Sequence, residues 1–339
     1  MNRVALCAAA VLALSAAARA ETPAEFYKGK TVTIITSTGV GGTYDFVARM
    51  VSRHMPRHLP GNPTIVVQNM PGGGNVLATN FMYNIAPKDG TTIATIHNAM
   101  PLHQVLDGRG VRYDAGKFNW LGSTGADNEV VFAWHTAGIK SIADVMRREV
   151  VLGGTGAGSG IVIIPTAMNN VLGTRFKIVT GYKSSEEINL ALQRGEVHAR
   201  AFSFGSIWSQ HPEWLKEGTI VVLAQAGRVR EKHLPDAPLL TELTQDDQQR
   251  TVLKLISASA GLGQPYIAPP DVPADRLAAL RQALAATLAD EAFLAEAARQ
   301  RIEIEPMSAE ETTRVVIDTI EAPSEIVAKA RAAMSASER

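Results

Sequence analysis

The sequence predicts an α/β protein of two similar lobes with a ligand cleft between them. Three observations carry this expectation. Strand-like and helix-like segments alternate along nearly the whole chain, the pattern of largely parallel sheets covered by helices. An apolar strand at residues 32–35 runs into Thr36-Ser37-Thr38-Gly39-Val40-Gly41-Gly42-Thr43-Tyr44-Asp45 and straight on into an amphipathic helix. The same design returns at Val150-Val151-Leu152-Gly153-Gly154-Thr155-Gly156-Ala157-Gly158-Ser159-Gly160. Glycines let each loop turn sharply and leave its amides unobstructed. The helix start adds unpaired N–H donors and a positive dipole end, so each loop is a natural anion cradle. Ligands of open parallel sheets sit beyond the carboxyl ends of strands, where both loops fall.

The elements follow in order. Phe46, Val47, Met50, Val51 and Met55 recur at helical spacing, and that helix should end near Pro56 or Pro60. Residues 64–68 are rich in β-formers, and Asn69-Met70-Pro71-Gly72-Gly73-Gly74 is a glycine turn. Asn75 is placed to cap a helix whose apolar face is Leu77, Ala78, Phe81, Met82 and Ile85. Asp89-Gly90 turns into a strand at residues 91–96. Residues 122–132 and 150–152 read as strands, with Ser141-Ile142-Ala143-Asp144 forming a capping box between them. Ile163, Ile164, Ala167, Met168, Val171 and Leu172 line a helix that stops at Gly173. After a strand at residues 177–179, Ser184-Ser185-Glu186-Glu187 opens a helix ending at Gly195, and strands follow at residues 197–202 and 219–223. Residues 273–300 read as one long amphipathic helix, and a capping box at Ser308-Ala309-Glu310-Glu311 starts the last one.

The N-terminus has a different grammar. Arg3 precedes an apolar run at residues 4–17, and Ala18-Arg19-Ala20 is a small-x-small cleavage site before Glu21. This is the pattern of a secretory signal peptide over residues 1–20, too short for a membrane span. The single cysteine, Cys7, lies inside it, so a cysteine-free mature chain, exported to a bacterial periplasm, is expected. About 320 residues remain, enough for two domains or one large one. Lys plus Arg and Asp plus Glu balance at 33 each, which argues against a nucleic-acid partner. Any anion bound here must be held by local geometry.

Neither loop carries a nucleotide fingerprint. A G-x-G-x-x-G frame starting at Gly154 reaches Ser159 where glycine belongs, and no Walker lysine follows either loop. Ala157 breaks a G-x-S-x-G elbow around Ser159, which reads as a helix N-cap. His54 and His58 have metal-ligand spacing, but Pro56 between them interrupts the helix that must align them. Trp134, Trp208 and Trp214 read as packing residues. Two charges stand out. Asp45 favours the dipole of the first-loop helix or accepts a hydrogen bond from a ligand. Arg200, in the apolar run Val197-His198-Ala199-Arg200-Ala201-Phe202, either reaches the surface or pairs with a carboxylate, including a ligand's.

In this order the segments resemble a known family. They are the loop closing in Asp45-Phe46-Val47-Ala48-Arg49, then Val67-Gln68-Asn69-Met70-Pro71-Gly72-Gly73-Gly74-Asn75, Ala86-Pro87-Lys88-Asp89-Gly90-Thr91, the second glycine loop, Gly181-Tyr182-Lys183-Ser184, Leu234-Pro235-Asp236-Ala237-Pro238 and Ala268-Pro269-Pro270-Asp271-Val272-Pro273. The chain resembles the periplasmic receptors of tripartite tricarboxylate transporters, the Bug proteins, from about Phe26 to the last helix. The resemblance implies a type II periplasmic-binding fold, with residues 26–125 and 227–325 in one domain and residues 126–226 in the other. It implies a monomeric, non-catalytic receptor without cofactor or metal, which binds a di- or tricarboxylate, an acidic amino acid or an aromatic acid and delivers it to membrane transporter subunits. By this resemblance Gly41, Gly42, Thr43 and Asp45, with Thr38 beside them, form a first clamp. Thr155, Gly156, Ala157, Gly158 and Ser159 form a second, and Tyr182 and Lys183 fall on a third loop. Ser37-Thr38 replace the family's Pro-Phe, Tyr44 replaces its threonine, and Leu152-Gly153-Gly154 replace Tyr-Gly-Ser. The backbone grip is therefore expected to persist and side-chain selectivity to be this chain's own. The alternatives are a carboxylate sensor serving a signalling partner and a cleft hydrolase or transferase; no nucleophile–base or metal constellation favours the last.

Overall fold

The computed structural model describes residues 21–156 and 159–335. The expected signal segment with Cys7, and Ala157 and Gly158 of the second loop, lie outside the described residues. Two five-stranded mixed sheets form the frame. The chain opens with β1 (Thr31–Thr36), α1 (Thr43–His54), β2 (Thr64–Asn69), α2 (Val76–Asn84), β3 (Thr92–Thr95) and β4 (Asn119–Ser123). It then crosses to β5 (Glu129–Trp134), β6 (Val150–Gly153), α3 (Gly160–Leu172), β7 (Phe176–Val179), α4 (Ser185–Gln193), β8 (Ala199–Ser203), α5 (Phe204–Gln210) and β9 (Ile220–Ala226). It returns through α6 (Asp247–Ser257) to β10 (Pro265–Ala268), and closes with α7 (Ala274–Leu288), α8 (Glu291–Arg299), α9 (Ala309–Ile320) and α10 (Ser324–Ser335).

The first sheet runs β2-β1-β3-β10-β4 and the second β7-β6-β8-β5-β9. In each, three neighbouring strands are parallel and an antiparallel strand from the crossover side is inserted beside them. Parallel pairing of β1 with β2 and β3, and of β6 with β7 and β8, puts the carboxyl ends of β1 and β6 at their loops. Both strands are mostly buried because helices cover their faces. Val32 and Ile34 of β1 are buried with Val47, Met50 and Val51 of α1 and Leu280 and Leu284 of α7. Val130, Val131 and Phe132 of β5 share a core with Ile163, Ile164 and Ala167 of α3. That core also takes Leu253 and Ile256 of α6 and Ala330 of α10, although α6 lies within residues 227–325. Helix α3 is buried from Gly160 through Met168; with the sheet on one side and α6 and α10 on another, it needs no polar face.

Several elements differ from expectation. Residues 122–132 are not one strand but the end of β4, a crossover at 124–128 and the start of β5. Gly125 adopts φ +123, and the carbonyl of Glu305 lies 2.5 Å from where a Cβ would stand, so the chain breaks there and starts β5 in the other sheet. Residues 273–300 divide into α7 and α8, because the Asp290 carboxylate accepts from the amides of Ala292 and Phe293 and opens a new helix. The helix begun by the Ser308–Glu311 box is followed by α10, so it is not the last. In α2, Leu77 is exposed, as is Ile85 just after it, while Val76, Ala78, Thr79 and Met82 are buried. Asn75 precedes it at φ +77 and gives no side-chain cap. Among the described residues no helix is long and apolar enough to cross a membrane.

Candidate functional site

The carboxyl ends of both sheets face one cavity of about 410 Å³. The first loop contributes Ser37, Thr38, Gly39, Gly42, Thr43 and Tyr44 to its lining; the second contributes Thr155, Ser159 and Ile161. The turn before α4 brings Gly181, Tyr182, Lys183 and Ser184. Of the residues expected in the site, Thr38, Gly42, Thr43, Thr155, Ser159, Tyr182 and Lys183 thus converge on one space. Gly41, Asp45, Gly156 and Arg200 do not line it, and Ala157 and Gly158 are outside the described residues.

Asp45 lies behind the first loop. Its carboxylate accepts from the Gly41 amide at 3.0 Å, Asn69 Nδ2 at 2.9 Å and Arg49 Nε at 3.1 Å. Asn69 also donates to the Thr38 carbonyl at 3.1 Å. Burial opposes the charge on Asp45, but the bonds from Arg49, Gly41 and Asn69 outweigh it and hold the carboxyl below its usual range. The aspartate therefore shapes the loop from beneath. Arg200 is likewise withdrawn. It is fully buried, stacks 3.8 Å over the Phe202 ring, and donates to the Ser185 carbonyl at 2.9 Å and to Asn189 Oδ1. Phe202 lines the cavity in its place.

In the second loop, close packing explains the first two glycines. A Cβ on Gly153 would stand 2.8 Å from Ile188 Cγ2, and one on Gly154 2.7 Å from Val162 Cγ2. Ser159 occupies the N-cap position of α3, yet its hydroxyl donates to the Gly156 carbonyl at 2.8 Å and accepts from Thr155 Oγ1 at 3.0 Å. It tightens the loop instead of capping the helix, which leaves the first-turn amides of α3 without a side-chain partner. At the third turn the Ser184 hydroxyl accepts from the Glu187 amide, and Glu187 Oε2 accepts from the Lys183 amide.

Side chains bridge the cleft at Thr43. Thr43 Oγ1 and Ser206 Oγ are 2.5 Å apart, and Gln210 Nε2 donates to Thr43 at 3.1 Å. Tyr44 donates to the Gly263 carbonyl at 2.9 Å, accepts from the Asn98 amide and stacks on His97. Burial depresses His97 to about 4, so it is neutral at physiological pH. Gly156 comes so close to the first lobe that its Cβ would stand 3.4 Å from the Gly74 backbone.

Sequence reasoning left several lining residues out of the site. Residues 71–75, His97, Glu129, Ser185, Glu186, Phe202, Ser203 and Ser206 all face the cavity. The triple glycine was the available signal: Gly72, Gly73, Gly74 and Asn75 all have positive φ, a run that only glycine tolerates readily. Nothing in the sequence pointed to Glu129. Among the described residues no cluster of His, Cys, Asp and Glu is placed to hold a metal ion; His54 and His58 instead bond to Glu296 and Asp290.

A family model described as "Tripartite tricarboxylate transporter family receptor" matches residues 47–331. The fold is similar to that of the periplasmic binding protein BugD, at 19% identity and TM-score 0.71, covering 91% of this chain and 98% of that one. It is similar to a Rhodopseudomonas palustris protein solved with adipate, at 22% identity and TM-score 0.67, covering 89% and 97%. It is similar as well to MatC from the same organism with bound malate, at 18% identity and TM-score 0.68, covering 90% and 99%.

Proposed function

We infer that this chain, which belongs to the tripartite tricarboxylate transporter receptor family, captures a small organic carboxylate in its cleft and passes it to a membrane transporter in the periplasm. Members of the family are receptors, not enzymes. The observation that carries the reading is convergence. Two glycine loops and the turn before α4, each leading into a helix start, face one cavity from two sheets. The starts of α1 and α3 carry no side-chain cap, and amides there, with a positive dipole end behind them, suit a carboxylate better than a neutral ligand. Malate and adipate, found in two proteins of similar fold, are sensible first ligands. The expected export through cleavage after Ala20 belongs to the same reading. A micromolar complex would correspond to about 8 kcal/mol, within reach of several charge-assisted hydrogen bonds.

Calorimetry and thermal shift of the mature chain against di- and tricarboxylates, acidic amino acids, aromatic acids and neutral sugars test it. We expect one or more acids to raise the melting temperature in proportion to the logarithm of concentration over Kd. A sugar that stabilises the protein while no acid does so would overturn the carboxylate reading.

A further inference from the structure

One carboxyl group in the cleft wall has no role in the interactions above. Glu129 begins β5, is 5% exposed and lines the cavity. Its Oε2 atom is buried without a hydrogen-bond partner, a costly state for an ionised carboxylate. Its Oε1 atom sits 3.5 Å from where a Cβ on Gly160 would be, at the first residue of α3.

The charges around it come from several elements. Asp127 lies two residues earlier, its carboxylate accepting from the Ser203 hydroxyl and the Gly205 amide. From β8, Arg200 acts on Glu129 electrostatically while its guanidinium bonds to Ser185 and Asn189. Tyr44 approaches from α1, and Glu186, another carboxyl with an unpartnered buried oxygen, stands at the start of α4. Glu231 accepts from the Asn128 amide at 3.3 Å. Neutral His97 and exposed Lys183 complete the set on the cavity. Neither α3 nor β9, the remaining neighbours, contains an ionisable residue.

We propose that Glu129 is a specificity-determining residue that engages the ligand as a carboxylic acid, donating its O–H to a ligand carboxylate held at the second loop. This rests on the carboxylate reading above and deepens it: the anion is captured together with a proton on Glu129. Burial is the largest influence on the group, and with Asp127 beside it and Arg200 opposing, its carboxyl is pushed up to about 8. At neutral pH the acid form therefore dominates. No hydrogen bond within the protein is made to its Oε2, and a carboxylate arriving in the cavity supplies an acceptor for the acid form. A bound anion would hold the proton more firmly still, because like charges cannot both ionise at contact. An amine ligand would reverse the logic by drawing Glu129 into its ionised form.

The test is calorimetry of the mature chain with malate and with adipate from pH 6.5 to 9.5, alongside Glu129→Gln. Glutamine keeps the shape and an N–H donor but does not titrate. In the wild type, affinity should fall about thirtyfold between pH 7 and 9.5, following loss of the acid form. At pH 8.5, enthalpies in buffers of different ionisation heat should show uptake of a fraction of a proton. The glutamine variant should bind with little pH dependence and no uptake. Acid binding that is flat with pH in the wild type, or that falls equally in the variant, overturns this inference and leaves the carboxylate reading standing. Affinity that rises with pH, with a primary amine preferred over the acids, overturns it too. Failure of every acid to bind at any pH removes the carboxylate reading and this inference together.

Discussion

Replacing Asp45 with asparagine separates a residue that shapes the loop from one that touches ligand. The native carboxylate serves Gly41, Asn69 and Arg49 at 2.9–3.1 Å. Asparagine offers a single acceptor oxygen, and its NH2 group would face the donors of Asn69 or Arg49. The Arg49 side chain is 41% exposed and can rehydrate, so that ion pair counts for little. Asn69, half-buried, is less able to do so. One or two part-buried bonds lost at about 0.5–1 kcal/mol each give an expected destabilisation of about 1 kcal/mol. Urea unfolding at pH 7 reads this as a lowered midpoint with an unchanged slope. The sign with pH follows from the depressed folded carboxyl. Its contribution is complete above the unfolded value, near 4, and disappears as acid lowers the pH through the smaller folded value. The gap between wild type and Asp45→Asn should therefore narrow below pH 4. An unchanged urea midpoint combined with lost acid binding would refute the reasoning and place Asp45 on the ligand.

Two other substitutions probe the cleft and its frame. Thr43→Val removes the bonds to Ser206 and Gln210 that span the cleft; acid affinity should drop about fivefold, equivalent to about 1 kcal/mol, and small-angle scattering should show a larger ligand-free particle. An unaltered affinity and radius would mean these bonds do not hold the lobes together. Gly154→Ala places a methyl 2.7 Å from Val162 Cγ2; thermal unfolding should register a loss of about 1–3 kcal/mol from overpacking, and an unchanged melting temperature would show that α3 shifts freely.

The frame was legible because its determinants are local. Alternating apolar runs and glycine turns fall on β1, α1, β6 and α3, and capping serines on α4 and α9, with errors of a residue or two. The misses needed tertiary information. One of them had a local sign as well: Gly125-Ala126-Asp127-Asn128 interrupts residues 122–132 with poor strand formers, and the approach of Glu305 to Gly125 marks the break between the sheets. The segment 273–300 keeps helical spacing throughout, but a capping aspartate at position 290, also held by His58, divides it.

The site was legible only at the level of backbone. A glycine loop between strand and helix announces where amides will be exposed, since chain geometry alone requires it, and Thr38, Gly42, Thr155 and Ser159 do reach one cavity. Side-chain direction is not announced this way. Asp45 and Arg200 were singled out because a charge near a loop or within an apolar strand is unusual, yet both satisfy that charge inward, on Gly41 and Asn69 in one case and on Ser185 and Asn189 in the other. Glu129 drew no attention because a glutamate opening a strand is ordinary in sequence. It becomes unusual only when the fold puts it against Gly160 and beside Asp127, with nothing to bond its Oε2. The informative charge in such a cleft is thus the one the protein leaves unsatisfied, and that property exists only after both sheets have formed.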